Sequence, residues 1–260
     1  MITSIHNPKI QLVRSLLGRP KERRASVAFV AEGVRLVEEA WNARWPFQFV
    51  LANAGIGDRG KSLLAELQDG GVDTETVPDH LMQSISETRV SQGILAVLER
   101  LYLPIPASLS FVLVLDQIRD PGNLGTLLRT ACAAGVQTVF LPPETADAYA
   151  PKVVRAGMGA HFRLPIHPCS WEEMEDRLKG MNIFLADMQG ESSCWQADLR
   201  SPLALIIGGE AEGASQPARK LATSRIAIPM PGKSESLNAA AAGAILMFEV
   251  VRQRTGNSFA

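Results

Sequence analysis

The sequence predicts an α/β protein of two domains. Two observations carry this expectation. Short strand-like apolar runs alternate with helical patterns along the chain. Pro104 and Pro106 then interrupt the alternation, and two prolines so close stop both a helix and a ladder.

The first domain is expected over 1–102. Val27 to Ala31 is a short β-like run, and Val34 to Ala43 reads as a helix with Val34, Val37 and Trp41 on one face. Phe47 to Ala52 reads as a strand, Lys61 to Gln68 as a helix, and Gln92 to Leu98 as a strand. The second domain, 103–260, restarts with the apolar run Phe111 to Leu115, the pattern of a strand buried on both faces. A turn, DQIRDPGN, leads into a helix with Leu124, Leu127, Leu128 and Ala131 on one side and Gly135 as its C-cap. Thr138 to Leu141, FRLPI, NIFLA, LALIIG and RIAIPM read as further strands. Asn238 to Arg252 reads as a long Ala-rich helix ending before Gly256. The expected sheet is mostly parallel, with its site at the carboxyl ends of strands.

Composition bounds the function. The chain has 260 residues, 46% hydrophobic and 20% charged, which supports a real core and excludes disorder. Lys+Arg is 26 and Asp+Glu 27, so the chain is no uniformly basic nucleic-acid coat. The charge is uneven, however. Between Met1 and Ala31, Lys9, Arg14, Arg19, Lys21, Arg23 and Arg24 stand against Glu22 alone. Such an arm is either a solvated helix and loop or a phosphate-contacting surface for RNA or DNA. The three cysteines, Cys132, Cys169 and Cys194, are widely spaced and form neither a disulfide framework nor a zinc pattern. The first residues lack the apolar core of a secretory signal, and no apolar stretch is long enough for a membrane span, so a cytoplasmic protein is expected.

Three segments at strand ends are unusually polar and Gly-rich: LDQIRDPGNLGTLLRTA (115–131), LIIGGEAEGAS (205–215) and IPMPGKSESLNAAAAG (228–243). Any one of them could be a tight turn; three in one domain suggest a crevice built from loops. Gly208 and Gly209 would let backbone approach a ligand, Ile228 and Met230 would supply an apolar wall, and Leu237 and Asn238 open a helix. A flat heterocycle carrying a ribose suits such a crevice. No GxxxxGK[ST] is present, and no GxGxxG with its downstream acid, which argues against ATP and NAD. No histidine lies in these loops, and no cluster suggests a metal.

At these segments the sequence resembles the SpoU (TrmH-type) RNA ribose 2′-O-methyltransferases of the knotted SPOUT superfamily. DPGNLGTLLRTA is similar to the family's first motif, with Asn123 and Arg129 at its key positions. IIGGEAEGAS is similar to the second, with Glu210 in the G-x-E position. IPMPGKSESLNAAAAGAILMFEVVRQR is similar to the third, with Ser236 and Asn238. The three occur in the family's order, and GMGAHFRLPI (157–166) is familiar from the same domain. HNPKIQLVRSL, FVAEGVRLVEEA and SETRVSQGILAV resemble phrases of the family's substrate-binding domain, a small α/β unit like the kink-turn-binding ribosomal proteins. Ser91, where proline is frequent, and the run Ala239–Ala242, where Val and Ser are common, depart from the pattern.

The resemblance implies a trefoil-knotted methyltransferase domain, which general topology rules alone would reject. It also implies a homodimer and S-adenosylmethionine as cofactor, and none of the site residues reads as a metal ligand. The cofactor site would comprise Gly208, Gly209, Ile228, Met230 and Leu237, with adenine and ribose against backbone at Gly208, Ile228 and Leu237. Arg129, Asn123, Glu210, Ser236 and Asn238 would form the catalytic group. The family account makes the arginine a base, but a guanidinium keeps its proton, so Arg129 is expected to stabilise a developing alkoxide or clamp the neighbouring phosphate. Asn123 would orient Arg129 or the ribose, or simply form a turn, and Ser236 would serve as a helix N-cap or a substrate contact. The basic arm would hold RNA. A dedicated RNA-binding domain favours large-subunit ribosomal RNA. The alternatives are a tRNA ribose methyltransferase and a non-catalytic RNA-binding or ribosome-assembly protein.

Overall fold

The computed structural model describes residues 1–88, 91–209, 213–232 and 236–256. The chain divides into two compact units, Met1–Leu101 with Tyr149–Phe162, and Tyr102–Ala148 with Arg163–Ala260. Where the sequence drew one boundary, the chain crosses between units three times.

In the first unit, α1 (Pro8–Gly18) begins after Asn7, whose side chain accepts from the Lys9 amide at 2.9 Å. Then come α2 (Pro20–Ala25), β1 (Ala28–Glu32), α3 (Val34–Asn42), β2 (Phe47–Ala52), α4 (Asp58–Asp69), β3 (Thr74–Thr76), α5 (Asp79–Ser84) and β4 (Ile94–Glu99). The sheet runs β1-β4-β2-β3, with β4 antiparallel to both neighbours and β2 parallel to β3. Ile10, Val13 and Leu16 recur every three residues on α1, so one stripe faces Val30, Leu51 and Val97 of the sheet in a continuous core. On α3 the buried residues are Leu36, Val37 and Ala40, while Val34 and Trp41 are only half-buried.

The second half contributes β5 (Phe111–Asp116), α6 (Pro121–Ala133), β6 (Thr138–Leu141), α7 (Pro151–Gly157), β7 (Ile166–Pro168), α8 (Trp171–Arg177), β8 (Asn182–Ala186), β9 (Ser192–Ser193), β10 (Leu203–Gly208), α9 (Gln216–Leu221), β11 (Ser224–Ala227) and α10 (Ala239–Thr255). The seven strands are ordered β7-β6-β5-β10-β8-β11-β9, and every pair is parallel. One face of β5 and β10 buries Val112, Val114, Ala204 and Ile206 with Met174 and Leu178. On the other face, α6 and α10 approach closely: a Cβ on Gly243 would lie 2.3 Å from Leu127 Cδ2 and 3.7 Å from Ile207 Cγ1.

α7 and a single 3-10 turn at Ala160–Phe162 belong to the first unit. There the Tyr149 ring lies 5.1 Å from Phe29 and Phe162 lies 5.3 Å from Trp45. This corrects the strand expected at FRLPI. Met158 and Gly159 take left-handed backbone (φ 45° and 89°), and the strand starts only at Ile166, past Pro165. RIAIPM is likewise a strand only to Ala227, before Pro229. α6 ends at Ala133 with Ala134 as its C-cap, and Gly135 follows at φ 75°. Among the described residues no helix is long and apolar enough to cross a membrane, and no group of three His, Cys, Asp or Glu is placed to hold a metal.

Candidate cofactor cavity and active site

Parallel strands bring all their carboxyl ends to one edge of a sheet, and ligands bind in the crevice there. In the second unit this edge holds a cavity of about 680 Å³, within the usual range for small-molecule sites. Its lining comes from three strand ends, the start of α10 and Arg219 of α9. Ala186 ends β8, and Asp187 to Gln189 follow it. Ile207 to Gly209, Gly213 and Ala214 end and follow β10. Ile228 and Met230 follow β11. Ser236 to Asn238 lead into α10, and Ala239, Ala242 and Leu246 lie on it. All five expected cofactor residues, Gly208, Gly209, Ile228, Met230 and Leu237, are on this lining.

The structure itself requires both glycines. A Cβ on Gly208 would stand 2.7 Å from the Ala214 nitrogen, and one on Gly209 would stand 2.6 Å from the Gln117 carbonyl oxygen. Their missing side chains make room for the chain's own backbone, which shapes the loop. That loop closes through a bridge between Gly209 and Gly213.

Asp116 ends β5 beneath this loop and is 1% exposed. Its Oδ2 accepts the Ser215 amide at 2.7 Å, and its Oδ1 has no hydrogen-bond partner among the described residues. Burial pushes its carboxyl above the ordinary range, against the lowering pull of Ser215.

The amino ends of α6 and α10 meet. Asp120 caps α6, its Oδ1 accepting the Asn123 amide at 2.8 Å. Asn238 caps α10, its Oδ1 accepting from Ala240 at 2.9 Å and Ala241 at 3.2 Å. The Asn238 Nδ2 then donates to Asn123 Oδ1 at 3.0 Å. The first and third motifs, 115 residues apart, are thereby joined side chain to side chain. The cap of α10 is Asn238 and not Ser236, which lines the cavity. Arg129 sits exposed on α6 and makes no hydrogen bond or ion pair with another described residue. Glu210 lies outside the described residues.

Asp187, the residue after β8, was not singled out in the sequence, because one acid after a strand carries no motif. Its Oδ1 accepts the Gln189 amide at 2.9 Å, and its Oδ2 faces Arg219 Nη1 at 3.0 Å and Arg225 Nη1 at 4.0 Å. Burial alone would raise its pKa; the Gln189 amide and the two guanidiniums outweigh burial and hold it below the ordinary range.

The six cations of the basic arm divide. Arg14, Arg19, Lys21 and Arg24 are exposed. Lys9 is engaged by Asp73 at 2.6 Å and Glu75 at 4.0 Å. Arg23 departs from the expectation of a phosphate contact: it is 3% exposed, and its Nη1 donates to Leu16 O at 2.5 Å and Leu17 O at 3.3 Å. It satisfies the last carbonyls of α1, which a helix end leaves without partners.

The cavity's chemistry fits an adenosine-type cofactor. Apolar side chains of Ile228, Met230 and Leu246 suit a heterocycle, backbone groups at Gly208 and Gly209 suit its polar edge, and a carboxylate stands at the rim. Arg219 is the one cation among the described lining residues and is already paired, so nothing there resembles a phosphate cradle.

Comparison with known proteins agrees with this geometry. Residues 110–248 match the model of the SpoU rRNA Methylase family, and residues 7–96 match an MRM3-like substrate binding domain. The chain is 30% identical to the 23S rRNA (guanosine(2553)-2′-O)-methyltransferase RlmP of Bacillus subtilis, over 96% of this chain and 98% of that protein. It is 33% identical to a 23S rRNA (uridine(2479)-2′-O)-methyltransferase of Streptomyces viridochromogenes, over 97% and 92%. Among solved structures, the SpoU methyltransferase AviRb of Streptomyces viridochromogenes, in complex with AdoMet, superposes with a TM-score of 0.88 at 28% identity, covering 96% of this chain and 99% of that one.

Proposed function

The chain belongs to the SpoU rRNA methylase family, and on that premise we propose that it methylates a ribose 2′-hydroxyl of RNA, using S-adenosylmethionine. Large-subunit ribosomal RNA is the substrate this reading favours, because both full-length relatives above carry 23S rRNA in their names. The observation that carries the reading is the convergence of the motif segments on one cavity and on the Asn123–Asn238 contact.

Bound S-adenosylmethionine supplies a methyl group already activated by its sulfonium. The protein's part is to hold the reacting atoms in line and to steady charge as the ribose oxygen passes its proton to water. The apolar residues around Ile228 and Met230 hold the cofactor and exclude water. Asn238 and Asn123 fix the start of α6 against that of α10. Arg129, six residues beyond Asn123 on α6, is assigned the electrostatic role, steadying the developing alkoxide or the adjacent phosphate. Its guanidinium, exposed and without a partner among the described residues, supports this assignment. Ser236 and Glu210 complete the proposed group, Ser236 as a substrate contact now that Asn238 is the cap.

The first unit holds RNA through the exposed Arg14, Arg19, Lys21 and Arg24. Such contacts position without specifying sequence. The working form is a cytoplasmic homodimer, and exposed Trp195 and Phe248, at 50% and 48%, supply apolar surface for it.

Incubating the protein with methyl-labelled S-adenosylmethionine and either unmodified large-subunit rRNA or bulk tRNA tests the reading. Label on rRNA, lost in Arg129→Ala, is the expected result. Label on tRNA alone replaces the substrate. Cofactor binding without transfer to either RNA contradicts the substrate assignment, and RNA binding without cofactor binding favours a non-catalytic protein.

A further inference from the structure

We infer that Asp187 is the acceptor for the ribose diol of the bound cofactor, an assignment that rests on the cofactor reading above. Three features lead there. Asp187 lines the cavity from the carboxyl end of β8, and Arg219 is the other charged residue among the described lining. Its carboxylate is 15% exposed and fixed from two sides, by the Gln189 amide at 2.9 Å and Arg219 Nη1 at 3.0 Å. The same guanidinium donates from Nε to the Ala214 carbonyl at 3.2 Å, so Asp187 is tied to the loop after β10 as well.

An ionised carboxylate accepts about four hydrogen bonds, and these partners use about half of that capacity. The remaining lone pairs need donors. The cofactor offers hydroxyls on its ribose and an ammonium on its amino-acid arm. Arg219 and Arg225, 3.0 and 4.0 Å from Asp187 Oδ2, offset the carboxylate's charge and would repel an ammonium. A neutral diol needs only the lone pairs, and a carboxylate beside strand ends holding a ribose diol is established chemistry in open α/β sheets. Ile228 and Met230 on the same lining leave the heterocycle an apolar place beside it.

The test measures dissociation constants by calorimetry for S-adenosylmethionine, for 5′-methylthioadenosine, which keeps the diol but lacks the amino-acid arm, and for its 2′,3′-dideoxy counterpart. Wild-type protein should bind the dideoxy compound about tenfold or more weaker than methylthioadenosine, the scale of hydrogen bonds to a charged group. Asp187→Ala should weaken methylthioadenosine by a similar factor and leave the dideoxy compound unchanged. Should that variant fold poorly, Asp187→Asn, which keeps the volume and one acceptor, should show a smaller version of the same discrimination. Equal losses for both nucleosides in Asp187→Ala would overturn the assignment in favour of a purely structural role. A loss confined to S-adenosylmethionine would overturn it in favour of an ammonium contact. Wild-type protein that binds none of the three would remove the cofactor reading and this assignment with it.

Discussion

The two units use their sheets differently. In the second, every strand pair is parallel. Loops far apart in sequence, after β8, β10 and β11, therefore gather at one edge and enclose a cavity. In the first, β1, β2 and β3 run one way and β4, set between β1 and β2, runs the other, so the chain after β4 leaves at the opposite edge from the loops after the other three. Its charges are spread over α1 and α2 instead of converging. The parallel unit is built to surround a small molecule, and the mixed unit presents a surface. Chemistry and RNA grip should therefore separate under mutation.

The largest effect is expected at Arg129. Arg129→Ala should lower methyl transfer by about 10²–10³-fold, the scale of removing a preorganised charge-stabilising donor, with cofactor affinity kept. A parallel fall in cofactor affinity, read by calorimetry, would break the division of labour within the second unit.

Gly208→Ala comes next. The new methyl meets the Ala214 backbone, which has no rotamer to yield. The loop must move, at about 1–3 kcal/mol for overpacking. Cofactor affinity should fall while RNA affinity in a filter-binding assay stays put.

In the first unit, neutralising Arg14, Arg19, Lys21 and Arg24 together should weaken RNA binding and flatten its dependence on salt, by up to about one unit of slope per lost phosphate contact. Cofactor binding should not change. Arg23→Ala is the internal contrast. It leaves the carbonyls of Leu16 and Leu17 without their donor, so it should lower the melting temperature through a loss of about 1–3 kcal/mol, with the salt slope unaltered.

The smallest effect is expected at Asp116. Burial raises its carboxyl pKa in the fold. The folded state therefore holds the proton more tightly than the unfolded chain, and this group's contribution to stability declines as pH climbs from the unfolded value through the raised one. Asp116→Asn keeps the volume and an acceptor for Ser215. It should flatten that decline in denaturant melts run across the acid-to-neutral range.

The sequence disclosed the second unit better than the first for a physical reason. Strands buried on both faces read as unbroken apolar runs, and Thr138–Leu141, Asn182–Ala186 and Leu203–Gly208 match their expected bounds residue for residue. Helices of six or seven residues, such as α2, α5 and α7, are too short to display a helical period. β3 has three residues and no apolar alternation. The excursion of Tyr149–Phe162 into the first unit depends on ring contacts with Phe29 and Trp45 that no local pattern encodes. Motif residues such as Asn123 and Asn238 were legible as a set, but their direct contact is a product of tertiary packing. Arg23 shows the converse limit, since a buried arginine and an exposed one look the same within a basic run.

The most direct measurement is on the RNA itself. Large-subunit rRNA treated with the protein and S-adenosylmethionine would be cleaved with alkali, which needs a free 2′-hydroxyl, and the resistant products identified by mass spectrometry. One new alkali-resistant linkage carrying a ribose methyl, absent with Arg129→Ala, is the predicted result. A methyl group on a base, or an unchanged alkali ladder with cofactor consumed, would contradict the account.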